Sequence, residues 1–321
     1  MEKFLPDLNM PVLSALIKAE VTRAIKWNSF PGSVIHGVIG YKLKEHSCVV
    51  AHKNCQSCYL VHSCAYGMIY ESPVPQGSKR MRLYPQVPHP IRVTVYPWHK
   101  PETAEGEIFE VCINLYGKTV TNFLLVLLSL DSAFQEGIGR KYRGERGTAK
   151  IKTLLDKISG NEKPWTELKQ NYSSFIHPVS INSLQRATVN QEIDLLFKSP
   201  LKITTEGKPN FKPDVRDILA TLLRRISNLS YFYNDKELDL DYTGILAKAE
   251  SINVEKDLKR VKAIRYSSRQ NKTISISGVT GKMTMKKCPP DLISLLEMGQ
   301  YTGIGKSTTM GLGDYEVIFG I

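Results

Sequence analysis

The chain is predicted to be an α+β protein made of two successive βαββαβ units. Its 321 residues are about twice the length of a typical domain, enough for two cores without disulfides or metals. A strand pattern followed by a helix pattern opens each half, at Met10 and again at Glu192. A short repeat, Gly137-Ile138-Gly139-Arg140 and Gly303-Ile304-Gly305-Lys306, follows an apolar helix in each half and leads into a strand. The economical reading is a duplication of the ferredoxin-like, RRM-like arrangement that recurs in RNA-binding modules. The boundary falls near residue 185, giving an N-terminal unit of residues 1–185 with a cysteine-rich insertion at 46–66, and a C-terminal unit of residues 186–321 ending in a glycine-rich loop.

In chain order, Met10 to Trp27 reads as strand, and Ser33 to about Glu45 as a helix capped by Ser33 after the turn Phe30-Pro31-Gly32. The proline-rich stretch Pro73 to Pro101 is loop and edge strand, with Ile91 to Val95 its clear alternating segment. Ile108 to Leu115 alternates as a strand, and Val120 to Phe134 is apolar at helical period. Asp156 to Asn171 is polar and reads as a surface insertion. In the second half, Glu192 to Phe197 is a strand, Lys202 to Pro213 a basic loop, and Val215 to Tyr231 a helix with apolar residues at Ile218, Leu219, Leu222, Leu223, Ile226 and Leu229. Val261 to Ile264 and Thr273 to Ile276 are strands around a basic turn, Leu292 to Met298 is a short helix, and Tyr315 to Phe319 closes the chain as a strand.

With 42% hydrophobic and 23% charged residues the composition excludes wholesale disorder. The apolar run Phe123 to Leu130 is far too short to span a membrane, and Pro6, Asp7 and Asn9 break any signal-peptide core, so a cytoplasmic protein with no membrane partner is expected. A formal net charge of +12 draws polyanions, nucleic acid first among them.

Three constellations could carry chemistry. The first is Gly303-Ile304-Gly305-Lys306-Ser307-Thr308-Thr309. A phosphate-binding P-loop would need glycine at position 300, where Gln300 stands, and too little chain follows, so a nucleotide triphosphatase is excluded. With Gly311 and Gly313 these glycines still form a loop whose backbone N–H groups and Lys306 could approach phosphates; tight turns are the other reading. The second is Cys48, Cys55, Cys58 and Cys64, interleaved with His46, His52 and His62. Four soft ligands with a Cys-x2-Cys knuckle suit a closed, structural zinc, and free thiols on a surface hairpin are the alternative. The third is basic sequence carrying tyrosines: Lys79 to Tyr84; Arg140, Lys141, Arg143 and Arg146 around Tyr142; and Lys259 through Arg265, Tyr266, Arg269 and Lys272. Cations hold phosphates and tyrosine faces stack on unpaired bases, which suits an RNA strand.

At helical spacing, Val34, Ile35, Val38, Ile39 and Leu43 form a buried stripe, while His36, Gly37, Gly40 and Lys44 share the opposite, open face. With Ser33 as cap, His36 lies in the first turn, where the helix dipole disfavours imidazolium and attracts phosphate. That placement suits a neutral general base, with Lys42 or Lys44 stabilising charge on phosphorus; His46 and Tyr41 are the alternatives for the base.

The run Phe30 to Gly40, the cluster ending Cys64-Ala65-Tyr66, the block Leu196 to Leu201, the helix from Asp214, the segment Arg265 to Gln270 and the tail Gly303 to Gly313 occur in this order in a known family. The chain resembles a CRISPR-associated endoribonuclease of the RAMP superfamily, and the similarity covers most of its length. Where the subfamily often has arginine after the Pro-Gly-Ser turn, this chain has His36. The resemblance implies an endoribonuclease that cuts precursor CRISPR RNA within its repeats without a catalytic metal. The 2′-oxygen attacks the adjacent phosphate, leaving 2′,3′-cyclic phosphate and 5′-hydroxyl ends. It implies CRISPR repeat RNA as partner, with other effector-complex subunits. A non-catalytic RNA-binding subunit of such a complex and a zinc-stabilised DNA-binding protein are the competing readings; no helix-turn-helix or zinc finger supports the latter.

Overall fold

The computed structural model describes residues 8–27, 30–50, 54–168, 175–186, 189–267 and 271–320. The chain divides into two compact units, Pro11–Pro178 and Val179–Ile321 with the segment ending at Met10.

In the first unit, strand β1 (Pro11–Arg23), helix α1 (Pro31–Ser47), strands β2 (Ile91–Tyr96) and β3 (Ile108–Tyr116), helix α2 (Phe123–Glu136) and the hairpin of β4 (Ile138–Tyr142) and β5 (Glu145–Asp156) follow in order. The antiparallel sheet runs β2-β3-β1-β5-β4. Its centre, β1, alternates so that Ala15, Ile17, Ala19 and Val21 turn inward beneath Ile35, Ile39 and Leu43 of α1 and Val126, Leu130 and Phe134 of α2. The two alanines lower the sheet surface where the helices press on it.

Two expectations for α1 are corrected. The helix begins at Pro31, not after Ser33: Phe30 is the cap residue, and Ser33 is already helical, its N–H on the Phe30 carbonyl at 2.9 Å. Proline at the first helical position has no N–H to leave unsatisfied and its φ is preset, so it starts the helix without a side-chain cap. Nor is the face carrying His36 and Gly40 open. Both are buried, whereas Val34 and Val38 are only half-buried. A helical segment at Gly67–Glu71, which periodicity does not reveal, lies across that face. It places the Tyr70 ring where a Cβ on Gly40 would come within 2.6 Å of Cε1.

In the second unit, strand β6 (Gln191–Leu201), helices α3 (Val215–Tyr233) and α4 (Tyr242–Glu250), strands β7 (Asn253–Val261) and β8 (Gly278–Cys288), helix α5 (Pro290–Thr302) and strand β9 (Tyr315–Phe319) follow in order. The antiparallel sheet runs β7-β8-β6-β9. This is the first unit's frame repeated, with α4 added. Asp214 caps α3 through a reciprocal bond with Asp217, and Ile218, Leu222 and Ile226 are fully buried.

Lys202 to Pro213, expected as plain loop, contains the ribbon Ile203–Thr205 with Lys208–Asn210. The expected strand from Val261 is instead the end of β7, and a separate ribbon pairs Ile264–Ser267 with Lys272–Ser275. Asp156 to Asn171, read as a surface insertion, pairs Glu162–Pro164 with β5 and buries Trp165 and Leu168. No helix among the described residues is long and apolar enough to cross a membrane.

Candidate active site and nucleic-acid interface

His36 is the sixth residue of α1, so it lies in the second turn rather than the first. The dipole fades beyond the first turn and cannot be its main influence. Aromatic rings surround it instead. The Tyr70 ring lies 4.7 Å from the imidazole, and the His89 ring 6.4 Å away at 14° to it. The Tyr70 hydroxyl donates to the His36 carbonyl at 3.0 Å. Burial, and then Tyr66, push that hydroxyl well above the ordinary tyrosine range, so it stays a donor. His89 stands between Pro88 and Pro90, and Tyr116 donates its N–H to the Pro90 carbonyl, so the second imidazole is held on a stiff segment entering β2. Sequence reasoning missed Tyr70 and His89; the Pro-His-Pro triplet was the available signal for one of them.

The other candidates on α1 have separate surroundings. Lys42 is buried, its ammonium on Glu45 at 2.8 Å and on Glu136 of α2. Its pKa is raised, by Glu136 first and then Glu45. This makes it a clamp between α1 and α2. His46 Nδ1 lies 3.2 Å from the Ser129 hydroxyl, also on α2. Tyr41 is 71% exposed. Lys44 alone shares the ring wall with His36: its ammonium is 5.4 Å from the Tyr66 ring, which stacks on Tyr70 at 5.8 Å.

The hairpin of β4 and β5 presents Arg140, Lys141, Arg143 and Arg146, all exposed. Tyr142, 53% exposed, has the Lys26 ammonium 3.9 Å from its ring centre and the Arg143 guanidinium at 5.4 Å. Arg146 also donates to the Gly139 carbonyl, a bond across the base of the hairpin. Cations around an exposed ring are a surface for single-stranded nucleic acid.

The glycine-rich loop differs from its expected use. The N–H groups of Ile304, Lys306 and Gly313 are donated to the carbonyls of Gly313, Lys202 and Pro200, and Ser199 donates its hydroxyl to the Gly311 carbonyl. Gly303, Gly311 and Gly313 are buried. These N–H groups therefore shape the turn rather than face a ligand, and Lys306 is the exposed group it presents. Arg265 and Lys272 lie on the ribbon Ile264–Ser267 with Lys272–Ser275, while Arg269 lies outside the described residues.

Cys48, Cys55, Cys58 and Cys64 line one cavity with Val61 and Tyr66, and the Cys64 sulfur accepts the Gly67 N–H at 3.3 Å. Among the described residues no three His, Cys, Asp or Glu side chains come together closely enough to hold a metal ion. His52 lies outside those residues. Among the described residues the four thiols line one cavity without coming into ligand geometry. Burial pushes the remote Cys288 thiol up to about 12, leaving it inert.

The chain thus combines tandem ferredoxin-like units with a first-helix histidine set among aromatic rings and with cationic turns. Residues 195–315 match the family model of the CRISPR-associated endoribonuclease Cas6, and residues 10–179 match a model described as an N-terminal domain. No curated protein matches in sequence. Among solved structures, the Cas6 (TTHB231) product complex is similar at 15% identity and TM-score 0.60, over 96% of this chain and 99% of that one. Thermus thermophilus Cas6 (TTHB231) follows at 13% and 0.56 with the same coverage, and a partial Cas6-RT-Cas1–Cas2 complex at 13% and 0.58, over 99% of this chain and 47% of that one. At such identities the likeness is one of fold. Residues 195–315 thus carry the Cas6 family signature, and the whole chain shares the fold of solved Cas6 structures.

Proposed function

We propose that this chain cleaves CRISPR repeat RNA by metal-independent transesterification with His36 as general base. The imidazole takes the 2′-hydroxyl proton, the 2′-oxygen forms a bond to the adjacent phosphorus, and the bond to the 5′-oxygen breaks as that oxygen takes a proton from water. A 2′,3′-cyclic phosphate and a 5′-hydroxyl result. The observation that supports this most is the ring enclosure of His36 by Tyr70 and His89, which fixes the position of the imidazole on the first helix. A base works when within reach of the proton and largely neutral at the working pH, and imidazole meets the second condition near pH 7. Lys42 is spoken for by two carboxylates and has a structural part; Lys44 is the cation on the right face. Repeat RNA is the partner, bound in the cytoplasm and delivered to other CRISPR subunits.

The experiment is single-turnover cleavage of the cognate repeat RNA in EDTA. Wild type should yield cyclic-phosphate and 5′-hydroxyl ends, and His36→Ala should be slower by about 10²-fold or more, the scale of general-base loss, with RNA binding nearly unchanged. Wild-type rates in that variant would remove His36 and turn attention to His46. Tight binding with no cleavage by wild type would make the chain a non-catalytic RNA-binding subunit.

A further inference from the structure

We infer that Lys202, Arg265 and Lys306 form a subsite in the second unit that holds one backbone phosphate of a bound RNA strand. Three separate stretches build it. Lys202 follows the last residue of β6, and its ammonium donates to the Ser275 carbonyl at 2.6 Å. Ser275 pairs with Ile264, the residue before Arg265. Lys306 comes from the glycine turn and donates its N–H to the Lys202 carbonyl at 2.8 Å. The end of β6, the basic ribbon and the turn are thus tied together by backbone and side-chain bonds, with one cation from each.

Nothing among the described residues neutralises them. None of the three makes an ion pair, and the Arg265 Nε is buried without a hydrogen-bond partner. Elsewhere in the same unit cations find carboxylates: Lys198 with Glu316 at 2.6 Å, Arg216 with Glu250 at 2.8 Å, Lys248 with Asp291 at 2.6 Å, and Lys282 with Asp194 at 3.2 Å. Burial lowers the Lys202 pKa, and the charges of Lys306 and Arg265 lower it further; burial lowers that of Arg265 too. A half-buried ammonium and guanidinium beside a third cation carry a cost that an anion removes. Arginine's planar fork matches tetrahedral phosphate oxygens and the lysines add point charges, so phosphate suits the set better than a carboxylate. That the phosphate belongs to RNA rests on the proposed function; that an anion binds does not.

The test uses the full chain with inorganic phosphate as probe. Phosphate should raise the melting temperature saturably above sodium chloride of equal ionic strength. Lys202→Met should abolish the shift, and so should Lys306→Met, whose exposed side chain can be removed without risk to the core. Each variant should also weaken repeat RNA by about tenfold, weaken an unrelated RNA equally, and reduce the salt slope of binding by roughly 1, as expected when one phosphate is no longer neutralised. An undiminished phosphate shift in both variants overturns the subsite, even if wild type cleaves repeat RNA normally. An abolished shift with unchanged RNA affinity and slope overturns its assignment to RNA. Failure of wild type to cleave, with the shift and slope behaving as stated, counts against the proposed activity and leaves the subsite standing.

Discussion

The two glycine turns occupy the same place in their units and have different electrostatic surroundings. Gly139 has φ +80° and Gly305 φ +88°; a Cβ would lie 2.6 Å from the Lys26 carbonyl oxygen in one and 2.5 Å from that of Lys202 in the other. Each turn therefore closes on the lysine just beyond the unit's first strand, and each is followed by a cation, Arg140 or Lys306. In the first unit Lys26 is compensated, 3.5 Å from Glu102 and over the Tyr142 ring. In the second, Lys202 has a carbonyl and two further cations. The duplicated backbone sets where a cation must stand; the residues around it decide whether it serves the fold or waits for an anion. Function on this frame lies in such local differences.

The largest expected effect tests the shared part. Gly139→Ala and Gly305→Ala each force an L residue into the left-handed region against a carbonyl, a strain of about 1–3 kcal/mol. Each should lower the melting temperature of its unit by roughly 3–10 °C. Tolerance of one and not the other would break the equivalence of the two turns. Next comes the hairpin of the first unit. Replacing Arg140, Lys141 and Arg143 together with Ala should cut the salt slope of RNA binding by about 2, at roughly 0.7 for each single-strand phosphate left without its cation. An unchanged slope would confine the RNA to other surfaces and widen the contrast between the units.

Much of this frame was legible in the sequence, for reasons that also mark the limit. The alternation in Pro11–Arg23, the period in Val215–Tyr233 and the apolar-polar run of Tyr315–Phe319 follow burial, and patterning reports burial. Strand β7 was missed because it is a sheet edge, and Asn253–Val261 has no fully buried residue to show alternation. Helix α4 was missed because Gly244 and small alanines weaken its signal. The open face assigned to α1 failed because glycine and histidine carry no apolar signature: the covering segment uses an aromatic ring against a missing side chain, an arrangement that only tertiary structure shows. His36 stood out by chemistry and position, yet its neighbours Tyr70 and His89 are remote in sequence. Lys202 lies one residue beyond the block Leu196 to Leu201 that carried the family resemblance, and its meaning depends on Arg265 and Lys306, which only the fold brings near it.

The smallest effect separates the two lysine environments directly. Lys26 gains from Glu102 and Tyr142, so Lys26→Met should lower stability slightly, by no more than about 1 kcal/mol for a half-exposed pair. Lys306 gains no ion pair and adds like charge beside Lys202, so Lys306→Met should leave stability unchanged or raise it slightly in low salt without phosphate. Both differences are Coulombic, and the charges lie near solvent, so molar sodium chloride should shrink them as the screening length falls to about 3 Å. Thermal melts of both variants at low and high salt measure the signs. Opposite signs that converge with salt would mean that compensation, not backbone, distinguishes the turns. If Lys306→Met destabilises as Lys26→Met does, the second lysine cluster is already neutralised, and the contrast between the units fails at its electrostatic root.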